Sequence, residues 1–419
     1  MNGVSDRSVA VVTPWYPTPG RPFAGSFVQK MVEATAHGCD KVTVYHTEDW
    51  RVPKPEDLPA VADAYRALLP RAVRPEPTVA GAEVWHVPVP VSVPTGGSFA
   101  ERARHHAQWL REVLRAGKRK PIPAAVVHAH VGLRGGWTAL ENARPDARVF
   151  VTEHASYLAQ LLEQSDSREM YEQVLARCHG FFAVGERVRN TLAENFPRYA
   201  DKVKLIPNPV SFGEPRARPL TEPRRWLYVG NLTEHKGVHL LLEAFARCYR
   251  EDPTLTLTLV GTGALAQRLA DRAAELGVDG AVTMTGVLTP EETLRRMREH
   301  DLLVHPSRGE TFGMVIVEAV ATGLPVLVTR CGGPEATLAG IEDAAGLMID
   351  VTDDPETIVA GYRLLRDRFP DGLDLVKARD VLNERYGYRR VAEAHHRHWF
   401  PEAAAPARRA GVPVKGRRG

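Results

Sequence analysis

Short apolar runs rich in β-branched residues alternate with longer segments of helical period along most of the chain. The first strand is predicted at Ser8–Thr13, stopped by Pro14, Pro17, Pro19 and Gly20, and a helix follows at Phe27–Ala36. Strands at Val42–His46, Ala124–His128, Val149–Thr152, Phe181–Val184 and Val203–Ile206 continue the series. Helices at Phe99–Ala116, Gly135–Asn142 and Glu186–Asn195 lie between them. The Pro-rich stretches Pro53–Pro59 and Pro75–Pro94 read as an irregular insertion with short strands. After Asn208–Arg224, rich in Pro, Gly and Arg, a second series begins. Its strands are Trp226–Val229, Thr256–Val260, Val282–Gly286, Leu302–His305 and Val326–Thr329. Its helices are Gly237–Cys248, Ala264–Leu276, Pro290–His300 and Met314–Ala321.

Strands separated by helices imply parallel βαβ units, since a parallel crossover needs a dozen or more residues. The expected architecture is α/β, with two doubly wound Rossmann-like domains facing a cleft. Residues 1–212 form the first domain, 213–224 the linker and 225–378 the second domain. A helix at Arg379–Arg397, within 379–400, crosses back to the first domain, and a basic tail at 401–419 is expected to be disordered. In such sheets ligands sit at the carboxyl ends of strands, which directs attention to the loops there.

Length agrees with this division: 419 residues is two or three domains at about 150 residues each. Apolar residues make up 44% and charged residues 25%, ordinary for a globular chain. The balance of 54 Lys and Arg against 51 Asp and Glu, a net +3, argues against a nucleic-acid binder. Cys39, Cys178, Cys248 and Cys331 form no CxxC pair, so free thiols in a reducing compartment are expected. No signal peptide and no apolar run of about 18 residues is visible, so the expected location is cytoplasmic.

Three stretches carry chemistry. In His305-Pro-Ser-Arg-Gly-Glu310-Thr-Phe-Gly-Met-Val-Ile-Val-Glu318, two glutamates flank a strand-to-helix turn. Eight helical steps rise about 12 Å, more than the roughly 5–9.5 Å of a hydrolase carboxyl pair. The spacing suits two contacts on one extended ligand, with the N–H groups of Phe312, Gly313 and Met314 free for an anion between them. A sugar joined to a nucleotide by a diphosphate has that shape. In Val229-Gly-Asn-Leu-Thr-Glu-His-Lys236-Gly237, a lysine stands at a helix start, where the helix dipole disfavours it unless it neutralises a phosphate. Val127-His-Ala-His130 and Val151-Thr-Glu-His154 place imidazoles at two strand ends. Each element alone has a bland reading: Glu310 as a helix N-terminal acid, Lys236 as an exposed loop residue, either histidine as core.

Together with Ile206-Pro-Asn-Pro-Val210, Val260-Gly-Thr-Gly263 and Gly332-Gly-Pro-Glu335, and in this order, these elements resemble the retaining glycosyltransferases of family 4, with the GT-B fold, over residues 7–400. The resemblance implies that Glu310 holds donor-sugar hydroxyls and helps stabilise an oxocarbenium-like transition state. Thr311, Phe312, Gly313, Met314 and Val315 grip sugar and diphosphate through main-chain amides. Glu318 bonds the ribose, Lys236 stabilises the leaving diphosphate, and Gly230 and Asn231 belong to the same donor loop. Gly286, Val287 and Leu288 frame the base, and His130 lies beside the reacting carbon. On the acceptor side it implies Gly25, Ser26, Phe27 and His154. It further implies front-face retaining transfer from a nucleotide-diphosphate sugar, with no enzyme nucleophile, no cofactor and no metal; no Asp-x-Asp pair is present.

The chain departs from the family at Asn231, where many members have arginine; Arg225, Arg308 and Arg330 are candidates for the missing charge. The first loop, Pro19-Gly-Arg-Pro-Phe-Ala-Gly25-Ser-Phe27, has a single glycine before Ser-Phe, where the family often has paired glycines. Three rival functions are weaker. A sugar-nucleotide epimerase or phosphorylase would share the fold, and a binding protein without catalysis has only Asn231 in its favour. A nicotinamide enzyme would use Gly261-Thr-Gly263-Ala-Leu-Ala266, but Ala281–Gly286 lacks the acid a ribose needs. The acceptor is left open between a small natural product, a glycan and a lipid-linked molecule. Peripheral contact with the inner face of a membrane is left open too, because Glu101–Lys120 carries seven basic and two acidic residues beside Trp109, Leu110, Val113 and Leu114. Arg408, Arg409, Lys415, Arg417 and Arg418 of the tail would assist such contact. Oligomeric state is not legible.

Overall fold

A computed structural model describes residues 6–72, 75–78, 80–92, 97–118 and 120–401. The basic tail falls outside the described residues, apart from Pro401.

The N-terminal sheet contains β1 (Ser8–Thr13), β2 (Lys41–Val52), β3 (Glu76–Pro77), β4 (Glu83–Ser92), β5 (Val126–His130), β6 (Arg148–Glu153), β7 (Gly180–Ala183) and β8 (Val203–Leu205). Their spatial order is β3-β4-β2-β1-β5-β6-β7-β8, all parallel except β3. The helices of this half are α1 (Ser26–Thr35), α2 (Leu58–Ala72), α3 (Phe99–Ala116), α4 (Arg134–Asn142), α5 (Leu158–Glu163), α6 (Ser165–Arg177) and α7 (Glu186–Asn195). The second sheet has β9 (Arg225–Val229), β10 (Thr256–Val260), β11 (Val282–Gly286), β12 (Leu302–His305), β13 (Val326–Thr329) and β14 (Gly346–Ile349), ordered β11-β10-β9-β12-β13-β14 and wholly parallel. Its helices are α8 (Val238–Glu251), α9 (Ala266–Glu275), α10 (Pro290–Glu299), α11 (Met314–Ala321), α12 (Gly333–Thr337), α13 (Glu342–Ala345), α14 (Glu356–Asp367), α15 (Leu375–Tyr386) and α16 (Tyr388–Trp399).

Each sheet is covered on both faces, which is why its strands read as nearly continuous apolar runs. Trp109, Leu110 and Tyr171 fill one side of the first sheet, and Val28, Val391 and Trp399 fill the other. Two doubly wound domains with their strand ends toward a shared cleft are the architecture expected from the sequence.

Two expectations need correction. The Pro-rich insertion is ordered structure: β2 runs six residues past His46 and pairs with β4 as far as Val52↔Ser92, and α2 follows. Pro88 and Pro90 sit two apart in β4, so their missing N–H groups face away from β2. The long last helix is two helices broken at Gly387. There the chain is extended (ψ 150°) and bridges Val210, so both connections between the domains run side by side. A glycine inside a helical pattern was the available signal. Helix α15 stays on the second domain through Ala378 and Leu382, and only α16 packs on the first. The apolar face of α3 packs on its own core, where Trp109 and Leu110 are buried.

Candidate functional site

The carboxyl ends of β9, β10 and β12, with the segments after β6, β8 and β11, open into one interdomain cleft of about 460 Å³. The second domain contributes the Glu310 loop. Glu310 Oε1 accepts from Lys236 Nζ at 2.6 Å and from His305 Nε2 at 2.8 Å. Both partners use the same oxygen, so Oε2 has no partner among the described residues. Burial pushes the Glu310 carboxyl up, but the His305 hydrogen bond and the Lys236 charge outweigh it and hold the group at about 2. Glu310 is therefore an ionised acceptor at neutral pH, not a proton donor. His305 is itself fixed by the ring of Tyr228, stacked at 5.6 Å and 15°, and the Tyr228 hydroxyl donates to the Asn231 carbonyl at 2.8 Å.

Two helix N-termini open into the cleft from opposite domains, α1 and α11, and α8 starts directly behind Lys236. All three have a glycine N-cap at positive φ: Gly25 at 72°, Gly313 at 84° and Gly237 at 67°. None has a side-chain cap or an acid in its first turn. Such ends carry partial positive charge and unsatisfied N–H groups, the requirement for an anion site. Gly25 is fixed sterically, since a Cβ there would lie 2.2 Å from the Trp15 carbonyl oxygen.

On the first domain, Glu153 at the end of β6 organises the wall. Its carboxylate accepts from the backbone N–H groups of Gly132, His154 and Ala155 and from the Tyr171 hydroxyl, at 2.7–3.0 Å. Val131, next to His130, is held at φ 70°, a conformation costly for a β-branched residue. His154 lines the cleft, its ring tilted 34° against that of Phe27 at 4.3 Å. His130 does not line it: it stands behind His154, with His130 Nδ1 2.9 Å from His154 Nε2. Burial lowers His154 to about 3 and His130 well below its usual range, so both imidazoles are neutral at pH 7.

Of the residues expected from the sequence, the structure brings Gly230, Asn231, Lys236, Val287, Glu310, Thr311, Phe312, Gly313, Met314, Val315 and Glu318 to the cleft wall from the second domain, and Ser26, Phe27 and His154 from the first. Gly286, Leu288, Gly25 and His130 lie behind that wall. None of the three candidates for the charge missing at Asn231 lines the cleft. Arg225 is bound to Asp301 at 2.6 Å, Arg308 is ion-paired with Asp353, and Arg330 lies 3.9 Å from Asp350. The second cation in the wall is Lys30 of α1, ion-paired with Glu318 across the cleft. Nothing local singles out Lys30, because its partner is 288 residues away. His305, Asn208, Gly261 and Thr262 were also missed as wall residues, although each stands in a motif the sequence displays.

Residues 24–213 match the family model described as Glycosyltransferase Family 4, and residues 214–369 match the model described as Glycosyl transferases group 1. A glycogen synthase of Mycobacterium tuberculosis (strain ATCC 25618 / H37Rv) is 36% identical over 168 residues, 38% of this chain and 41% of that protein. A D-inositol 3-phosphate glycosyltransferase of Nocardia farcinica (strain IFM 10152) is 30% identical over 286 residues, 62% of this chain and 63% of that protein. The chain thus spans less than two thirds of the length of the curated relatives it matches. Among solved structures, sucrose-phosphate synthase from Thermosynechococcus elongatus superposes with a TM-score of 0.71 at 20% identity, covering 96% of this chain and all of that one. Anabaena HepE in complex with UDP and glucose gives 0.65 at 16% identity, covering 93% of this chain and 98% of that one. The fold is GT-B.

Proposed function

The chain belongs to glycosyltransferase family 4, and from that premise we propose that it is a retaining glycosyltransferase, moving a sugar from a nucleotide-diphosphate sugar to an acceptor hydroxyl. The observation that carries this reading is the ionised Glu310, held through one oxygen by Lys236 and His305 at the mouth of an uncapped helix. The diphosphate would lie at the N-terminus of α11, with Lys236 and Lys30 neutralising the charge that grows on the leaving group. Preorganised charge of this kind is often the largest catalytic contribution. The free Oε2 of Glu310 would accept from sugar hydroxyls while positive charge develops on the ring. Among the described residues, Glu310 and Glu318 are the only carboxylates in the cleft wall, and both are engaged by lysines, which favours transfer on one face without an enzyme nucleophile. Two lysines and two open helix ends supply the charge a metal would otherwise provide, so the reaction is read as metal-independent.

Val287 and the Gly261–Thr262 turn would flank the base. That turn is pressed against the first donor loop, where a Cβ on Gly261 would lie 2.0 Å from the Gly230 carbonyl oxygen, and β11 still ends without an acid. The nicotinamide reading therefore gains nothing. Four free cysteines suit a reducing, cytoplasmic setting. Among the described residues, no helix is long and apolar enough to cross a membrane.

A thermal-shift series with UDP, GDP, ADP, CDP and dTDP in EDTA, repeated with magnesium, tests the reading. One diphosphate should raise the melting point without metal, by mass action on the native state. Stabilisation by NADH alone would overturn it.

A further inference from the structure

Beyond the end of β1, the β2–β4 ribbon overhangs the carboxyl edge of the first sheet. Residues 47–52 pair with 87–92 there, with no β1 residue alongside. This overhang forms a second pocket of about 520 Å³, walled by Arg21, Glu48, Asp49, Trp50, Arg51 and Tyr65. That volume is within the range of small-molecule sites.

Three features set the pocket apart. Trp50 is 44% exposed, the one exposed aromatic among the large hydrophobic side chains of the described residues. Its ring is braced edge-on by Tyr65 at 5.8 Å and 86°, so the indole is held while one side stays open. The charges balance, two arginines against two carboxylates. Arg21 meets Glu48 at 3.3 Å, and Asp49 is fixed from behind by Arg134 at 3.1 Å and His106 at 2.7 Å. The Tyr65 hydroxyl is buried and has no hydrogen-bond partner among the described residues.

The pocket is joined to the cleft. Arg134 sits over Trp15 at 6.0 Å, Trp15 packs edge-on against Phe27 at 6.2 Å, and the Phe27 ring lies tilted against His154 at 4.3 Å. Arg21 belongs to the same loop as Phe23 of the cleft wall, the loop that leads into α1 at Ser26.

We propose that the Trp50 pocket is a subsite for a neutral sugar ring of the acceptor. A pyranose offers an apolar C–H face, which an indole takes up, and a rim of hydroxyls, which both donate and accept. Paired carboxylates and guanidinium groups meet that rim from both sides, and their balance gives no preference for an anion. Because the side chains of Phe27, Trp15 and Arg134 separate the pocket from His154, the acceptor is an extended glycan or glycoside rather than a single ring. The inference rests on the transferase reading for the word acceptor, but the pocket is tested separately.

The test is retention on an array of neutral mono- to pentasaccharides and their phosphorylated counterparts, for the full chain and for Trp50→Ala and Trp50→Phe, with UDP affinity measured on each protein. The expected result is binding of a subset of neutral oligosaccharides, lost at least tenfold in Trp50→Ala and partly kept in Trp50→Phe, at unchanged UDP affinity. No retention of any neutral glycan, retention of phosphorylated glycans alone, or equal retention by Trp50→Ala would overturn the proposal. Failure of the unaltered protein to bind any nucleoside diphosphate would instead remove the transferase reading.

Discussion

Lys30 on α1 and Glu318 on α11 form an ion pair across the cleft, one residue from each domain. Their side chains are only 12% and 16% exposed, so water screens the pair weakly. The carboxylate and the second cation of the proposed donor site are thus engaged with each other before any donor arrives. A nucleotide sugar would part them, taking Glu318 with its ribose and leaving Lys30 for the diphosphate.

Lys30→Ala is accordingly expected to weaken nucleoside diphosphate binding by roughly tenfold, on the scale of one charge-assisted contact. Its binding should also depend less steeply on salt. Isothermal titration at two ionic strengths measures both. An unchanged affinity and salt slope would show that Lys30 serves domain contact alone.

At the Glu310 loop, Glu310→Gln and Lys236→Ala are each expected to lower kcat by about 100-fold or more, the scale of losing one oriented charge in such a site. Because Glu310 is held at about 2, its carboxylate persists from neutral pH down to about pH 3. The sign is that of a depressed acid: its contribution is present above the usual carboxylate range and fades only as pH falls through about 2. An acid limb in the kcat profile at pH 5–6 should therefore survive in Glu310→Gln. Disappearance of that limb would contradict the assigned protonation state.

Gly185 follows β7 on the first domain, and a Cβ there would lie 2.3 Å from the Thr311 carbonyl oxygen of the Glu310 loop. Gly185→Ala is expected to hold the domains apart at this point, lowering kcat several-fold with little change in melting temperature. Its φ of −161° is open to any residue, so the effect should be one of approach rather than backbone strain. Wild-type turnover would show that the domains need not come this close.

Helix α16 is sealed to the first sheet through imidazoles. The His128 ring lies 5.3 Å from that of His395 and 5.2 Å from that of Trp399. Burial lowers His395 to about 4 and His128 well below its ordinary value. Groups neutral in the fold and protonated when unfolded contribute stability above about pH 6.5 and lose it as pH falls, each by about 1.4 kcal/mol per pH unit. The melting temperature should therefore drop steeply between pH 6.5 and 4.5, and less steeply in His395→Leu. Equal slopes would place the acid sensitivity elsewhere.

Much of this was legible in the sequence because it is local. Each of the strands β9 to β13 turns into a loop and then a helix within about thirty residues, and apolar period, glycine and capping residues mark those steps. The two glutamates, Lys236 and the loop glycines stand on such turns, so their order along the chain already outlined the proposed donor site. What the chain alone could not supply are relations between distant segments. The length of β2 depends on β4, which alternates poorly because it carries two prolines along an edge. The break at Gly387 depends on Val210, with which it forms a backbone bridge. His130 reads as a cleft residue at a strand end, yet His154 stands in front of it. Lys30 finds its meaning in Glu318, and Trp50 in a ribbon that overhangs the sheet. Local sequence determined which turns bring the glutamates, Lys236 and the loop glycines to the ends of the strands. The packing of one domain against the other decided which side chains meet there, because burial and charge pairing act through space.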